Sequence, residues 1–211
     1  MKLLLIDIDV GQDIENKMSV ALQDDVKMFI YDSKKIESSE NFILKYSEWY
    51  ETLESPLIFS SIGWGFHGIR TRRTYRLFPE DSPTPFRDIT SGTTQSFIKI
   101  LKKISSHLEK NGRIDLFLCN MFTRPYKKLF LFLERVTGIN LAGSDDITGH
   151  SVVVIADWKL ESENTPIDII TVYFKHDTPI ENIILHNQIE DDVDDPEMLR
   201  LHNQKINEKI L

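Results

Sequence analysis

Apolar runs of strand length alternate along this chain with stretches of helical period, a pattern that predicts a mostly parallel sheet covered by helices. Leu3–Asp9, Val26–Tyr31, Leu57–Ile62 and Ile114–Leu118 read as four buried strands. Ile139–Ala142, Ser151–Ile155 and Ile167–Phe174 supply more. Between them, Asp13–Gln23 carries Ile14, Met18 and Leu22 on one helical face, and Asn41–Leu53 is a second helix. Thr93–Lys110 has the clearest stripe, Phe97, Leu101, Ile104 and Leu108, with Asn111-Gly112 as its stop. Thr123 with Pro125 two residues on starts a further helix, Tyr126–Val136, which Thr137-Gly138 ends. The third strand runs into a glycine-loosened segment, Gly63 to Gly68. Thr71–Phe78 reads as one arm of a short hairpin, and Pro79, Pro83 and Pro85 punctuate the loop beyond it. The expected order is βαβαβ, a hairpin, αβα, then strands, giving an α/β domain over residues 1–175. Residues 176–211 form an acidic extension with Glu190-Asp191-Asp192-Val193-Asp194-Asp195 and a terminal helix from Pro196. Leu-His-Asn-Gln at 185–188 and 201–204 is too short a match to signal a repeat architecture.

Composition narrows the classes. With 211 residues, 41% hydrophobic and 27% charged, the chain can bury a core without disulfides or structural metal. The formal charge of −8 argues against a broad basic face that grips nucleic-acid phosphates. No apolar run reaches the ~20 residues of a membrane span, and Asp7 and Asp9 interrupt the opening apolar stretch too early for a signal peptide. Cys119, the single cysteine, excludes an internal disulfide and a cysteine-based metal cage. The expected location is the cytoplasm, or a particle assembled there.

Ligands of open parallel sheets bind beyond the carboxyl ends of the strands. His67-Gly68 follows the third strand and Cys119 ends the fourth. If those strands are neighbours, their ends lie about 5 Å apart and the side chains can meet. A cysteine beside a histidine is a nucleophile with its base. Gly68 and Cys119 offer backbone N–H groups for an oxyanion. The helix near Thr123 and the charge of Arg124 favour a thiolate. Trp64 and Phe66 beside His67 are candidates for the floor of a substrate pocket.

His-Gly after one hydrophobic strand and cysteine after the next resembles the caspase-like (clan CD) cysteine peptidases. The nearer likeness is to an uncharacterised caspase-like domain found near the N-termini of large bacterial repeat-bearing surface proteins. It is carried by Asp115-Leu116-Phe117-Leu118-Cys119-Asn120, by Val136-Thr137-Gly138 through Ser144-Asp145-Asp146-Ile147-Thr148-Gly149, and by Ala156-Asp157-Trp158-Lys159-Leu160-Glu161, over about residues 3–162. The resemblance implies a caspase-like three-layer sandwich, with a mainly parallel central sheet and helices on both faces. It implies His67 as base, Cys119 as nucleophile and Gly68 as oxyanion donor, acting on a peptide or protein substrate in self-processing or limited proteolysis without cofactor or metal. The chain departs from the family's pattern around the site. Ile69-Arg70-Thr71 replaces small residues after His-Gly, Leu118 replaces a small residue before the cysteine, and Met121-Phe122-Thr123-Arg124-Pro125-Tyr126 replaces glycines after it. Those bulky residues support a competing class, an inactive caspase-like domain serving as an interaction or assembly subunit.

Other motifs have blander readings. Asp7-Ile8-Asp9 suits a haloacid-dehalogenase-type phosphatase, with Asp145-Asp146 and Ser60 or Ser61 as partners and Mg²⁺ on the carboxylates; the alternative is strand-end capping. Arg70, Arg72, Arg73 and Arg76 can pair an acidic substrate residue, or form the solvated face of a hairpin, or face an acidic partner or the chain's own Glu190–Asp195. That acidic run lacks the ligand spacing of a calcium loop. Asp145, Asp146 and Asp157-Trp158 read as turn residues with a buried anchor. His107 and His150 lack metal-ligand spacing.

Overall fold

The computed structural model describes residues 1–8, 14–66, 69–71, 74–81, 91–117, 127–145 and 159–176. Its centre is a five-stranded, wholly parallel sheet built from β1 (Lys2–Asp7), β2 (Val26–Tyr31), β3 (Phe59–Gly65), β6 (Leu108–Phe117) and β7 (Asn140–Gly143), in the order β2-β1-β3-β6-β7. A separate antiparallel hairpin, β4 (Ile69–Thr71) with β5 (Thr74–Arg76), follows β3. A two-residue pair, β8 (Lys159–Leu160) with β9 (Ile167–Asp168), comes late in the chain. The helices are α1 (Ile14–Ala21), α2 (Ser39–Glu51), α3 (Gly92–Ser105), α4 (Lys127–Thr137) and α5 (Ile169–Tyr173). The expected three-layer α/β sandwich is therefore observed.

Strand alternation sorts the side chains onto two faces. Leu3, Leu5, Phe29, Tyr31, Ile62, Trp64, Ile114, Leu116 and Leu141 meet α2, α3 and α4 through Phe42, Tyr46, Phe97, Ile100, Leu101, Ile104, Phe130 and Leu133. Leu4, Ile6, Phe117 and Ala142 face the other way, against Met18 and Ala21 of α1 and Ile169 and Tyr173 of α5. This split follows from connection handedness. The β1–β2 crossover runs one way along the sheet and the later ones run back, so right-handed connections put α1 opposite α2–α4. The order reverses between β1 and β3, which makes their carboxyl ends the switch point of the sheet.

The expected third helix ends early. Ser105 is its last residue and Ser106 its cap, because β6 begins at Leu108. Asn111-Gly112 stops no helix; it lies inside β6 where the register slips. Between the Phe59–Leu108 and Ser61–Arg113 partners, β3 advances two residues and β6 five. A Cβ on Gly112 would stand 2.6 Å from Leu108 Cγ and 3.0 Å from the Ser60 carbonyl, so the bulge needs glycine. Gly63 and Gly65 do not loosen a loop. They are strand positions over which the Phe117 ring lies, 2.7 Å from a Cβ built on Gly63. The expected strand Ile167–Phe174 is a strand for two residues only. The Asp168 carboxylate then accepts the Ile170 and Thr171 N–H groups and starts α5, overriding the strand preference of Ile-Ile-Thr-Val. Ser151–Ile155 and the acidic extension lie outside the described residues.

Candidate functional site

The carboxyl edge of the sheet is built by three strand ends. β1 ends at Asp7, β3 at Gly65 and β6 at Phe117. Gly65 is the register partner of both Ile6 and Phe117, so the three ends are level. β3 and β6 are thus the adjacent pair that a cysteine–histidine site requires. In sequence, His67 stands two residues past Gly65 and Cys119 two residues past Phe117. His67, Gly68, Leu118 and Cys119 themselves lie outside the described residues, as do Arg72, Arg73, Asp9, Asp146, Trp158 and His150. Arg70 sits in β4, opposite Tyr75 of β5.

The platform below that edge is closed and aromatic. Trp64 is fully buried and donates its indole N–H to the Tyr31 hydroxyl at 2.8 Å. Its ring packs against Phe66 at 4.5 Å and Phe97 at 5.6 Å. Trp64 and Phe66, candidates for a pocket floor, are buried at the end of β3, and neither exposes surface. Beyond β5, the Asp81 carboxylate accepts the Leu77 and Phe78 N–H groups at 3.1 and 3.0 Å and the Ser96 hydroxyl at 2.5 Å, tying this segment to α3.

Of the residues proposed for a phosphatase, Asp7, Ser60, Ser61 and Asp145 are described. Asp7 is buried, and its Oδ1 accepts the Ser33 N–H at 3.1 Å, the capping role its strand-end position suggests. Ser61 pairs with Lys2 at the opposite end of β1, and the Ser60 N–H bonds the Met1 carbonyl at 2.8 Å. The length of a strand separates these serines from Asp7. Asp145 is a turn residue whose N–H bonds Glu161 Oε2 at 3.0 Å. His107 lies in the turn after α3, not on the helix. It stacks on Tyr50 with ring centres 3.7 Å apart and hydrogen-bonds the Tyr46 hydroxyl through Nδ1 at 2.8 Å. Burial, then the charge of Lys103, holds its pKa below the usual histidine value.

One polar cluster was not foreseen from the sequence. On the α5 face, buried Asp115 accepts Arg113 Nε at 2.5 Å and the buried Tyr173 hydroxyl at 2.7 Å. Ser61 hydrogen-bonds the same hydroxyl. Burial pushes the Asp115 carboxyl above the ordinary aspartate range, against the pull of Arg113. Burial and then the Asp115 charge push the Tyr173 hydroxyl well up. The available signal was an acid in the middle of the apolar strand Ile114–Leu118, with an arginine two residues earlier on the same face. A second missed feature guards the outer edge of β7. Glu134 accepts the Leu141 N–H at 3.1 Å, and the Ser162 hydroxyl accepts the Gly143 N–H at 2.9 Å.

Among the described residues no cluster of histidine, cysteine and carboxylate side chains could hold a metal ion. No described helix is long and apolar enough to cross a membrane. A family model described as a domain of unknown function (DUF4347) matches residues 87–181. That interval carries α3 through α5 with Cys119 and leaves out β1 to β5 and His67. No curated protein and no solved structure matches the chain.

Proposed function

We propose that this chain is a caspase-like cysteine peptidase domain, acting in self-processing or limited proteolysis with Cys119 as nucleophile and His67 as base. The observation that carries the reading is the adjacency of β3 and β6 with level carboxyl ends, Gly65 opposite Phe117, and one reactive residue the same distance beyond each. His67 takes the thiol proton, and the Cys119 sulfur adds to a peptide carbonyl. The oxyanion is held by the N–H groups of Gly68 and Cys119. The carbon–nitrogen bond breaks as His67 returns the proton to the leaving amine, and water then hydrolyses the thioester. The residues require no metal or organic cofactor for these steps.

The test is the alkylation rate of Cys119 followed by intact mass from pH 5 to 9, in wild type and His67→Ala. The single cysteine makes the mass shift unambiguous. Fast labelling at pH 6–7 that the substitution abolishes supports the dyad. Labelling that tracks an ordinary thiol of pKa ~8.5 in both proteins overturns it. A second reading, an inactive assembly subunit, draws support from the sealed strand ends, where Trp64, Phe66 and Phe117 are all buried. It predicts the slow, His67-independent outcome.

A further inference from the structure

The two edges of the central sheet are finished differently. At the β7 edge, Glu134 takes the Leu141 N–H, and Ser162 takes both the N–H and the carbonyl of Gly143. The β2 edge has no such cover. There the Lys2 N–H bonds the Asp25 carbonyl at 2.8 Å, and the slanted ladder of a parallel pair then commits Lys27, Phe29 and Tyr31 to β1. Val26, Met28 and Ile30 therefore turn their backbone groups outward. The Val26 N–H returns to the Gln23 carbonyl at 3.0 Å. Among the described residues nothing bonds the N–H or carbonyl of Met28 or Ile30. Their apolar side chains pack on the α1 face and stay partly exposed. An apolar edge strand with open backbone groups is a template for another strand.

The charges around β2 say which strand fits. Asp24-Asp25 precede it and Lys34-Lys35 follow it. Asp24 pairs with Lys175 and Lys35 with Asp32, but the Asp24 and Lys35 side chains are 97% and 79% exposed. Exposed pairs of this kind contribute little, so they exchange partners at small cost. An antiparallel strand is matched to this edge if it carries lysines opposite the acids and acids opposite the lysines. β2 turned end for end is such a strand.

We infer that β2 is a homodimer edge, at which two copies of this chain join β2 to β2 antiparallel about a two-fold axis through Phe29. The two five-stranded sheets then form one continuous sheet. In this register Met28 lies opposite the partner's Ile30, and Ile30 opposite the partner's Met28. Each of these pairs exchanges both backbone hydrogen bonds, which satisfies every open group of Met28 and Ile30 in both copies. Their side chains meet as apolar cross-strand pairs on the α1 face. Asp24 comes level with the partner's Lys34, and Asp25 and the partner's Lys35 flank that pair. Other axes fit less well. An axis at Met28 sets Ile30 against Val26, whose N–H is already used. An axis at Ile30 sets Met28 against Asp32, whose carbonyl already serves the Lys35 and Ile36 N–H groups. The pairing uses neither β3 nor β6, so it does not depend on whether Cys119 is catalytic.

The experiment is sedimentation equilibrium of the full chain from 1 to 200 μM in 0.1 M salt. Wild type is expected to pass from monomer to dimer within that range and to stop there, because the β7 edge is closed. A monomer throughout overturns the inference, and so does growth into larger species. K34E/K35E sets like charges face to face and should weaken the dimer at least about tenfold. D24K/D25K/K34E/K35E restores opposite signs across the axis and should recover the wild-type constant to within about threefold. Ile30→Pro removes an outward N–H while leaving the ladder to β1 complete, and should also weaken the dimer at least about tenfold. Circular dichroism checks that each variant is folded, and if the proline disrupts β2 the surface charge variants decide alone. A dimer that K34E/K35E leaves at wild-type strength, or that the fourfold swap does not recover, overturns the inference.

Discussion

The two faces of the sheet are held by different physics. On the face under α2, α3 and α4 the core is a mosaic of rings. Phe42 alone meets Tyr31 edge-on at 4.8 Å and lies near Phe29, Trp64 and Phe78 at about 6 Å. Its rings also make polar contacts with one another, as in the Trp64–Tyr31 and Tyr46–His107 bonds. The face under α1 and α5 is smaller and is organised around a buried carboxyl group, that of Asp115, held by Arg113 and Tyr173. Ring packing gains stability from burial and tolerates small shifts. A buried ion pair gains little net stability but is costly to break, because either partner left alone loses both water and its mate. The ring face therefore carries most of the stability, and the polar face fixes where α5 sits.

The largest effect expected is on the ring face. Phe42→Ala should cost about 3–5 kcal/mol in urea unfolding, and a loss under 1 kcal/mol would mean the rings are loosely packed. Asp115→Ala should cost about 2–4 kcal/mol, and Tyr173→Phe about 1–2 kcal/mol. The sharper test removes the whole cluster. Arg113→Met with Asp115→Leu and Tyr173→Phe should return to within about 1 kcal/mol of wild type, and failure to recover would assign the polar face a net stabilising role. Gly63→Ala, which drives a methyl group into the Phe117 ring, should cost about 1–3 kcal/mol by thermal or urea unfolding.

The smallest effects are separable by their sign with pH. Burial raises the Asp115 pKa in the folded state. The cost of ionising it therefore appears as pH rises from the ordinary aspartate value near 3.8 through the raised one. The margin of wild type over Asp115→Asn should narrow across that rise. Glu40 runs the other way. The hydrogen bond from Lys99, then that from Ser39, holds its pKa at about 2, so its contribution is present above about 4.5 and is lost as pH falls toward 2. The Glu40 and Lys99 side chains are 63% and 51% exposed, so screening leaves Glu40→Gln a change of a few tenths of a kcal/mol. Stability measured from pH 2 to 8 in both variants checks the two slopes.

Periodicity made the sheet strands and the longer helices legible, since Leu3–Ile6 and the Phe97-Leu101-Ile104 stripe are buried as their spacing demands. It failed where one polar contact or one glycine outweighed a residue preference. Asp168 turned a β-branched run into a helix, and Gly112 turned an apparent helix stop into a strand bulge. At the carboxyl edge, chain order left the adjacency of β3 and β6 open and the sheet supplies it, while Asp7 behaves as a strand-end cap. The end of β3 was placed too early, at Ile62, because the glycines flanking Trp64 resemble a loop. Here the glycines make room for the Phe117 ring on the opposite face, while Trp64 points into the core. The Asp115 cluster stayed hidden because Tyr173 comes from 58 positions further on, a separation no local pattern encodes.

The slip in β6 between Leu108 and Arg113 has a consequence for how the molecule tolerates change. The surplus residues sit at the entry of the strand, while from Arg113 to Phe117 the pairing with β3 proceeds one for one. Insertions or deletions in the α3–β6 connection can thus be absorbed by enlarging or shrinking the bulge. The step that Cys119 follows keeps its phase against β3. Length variation is routed to the amino end of the sheet, and the carboxyl end inherits a fixed alignment.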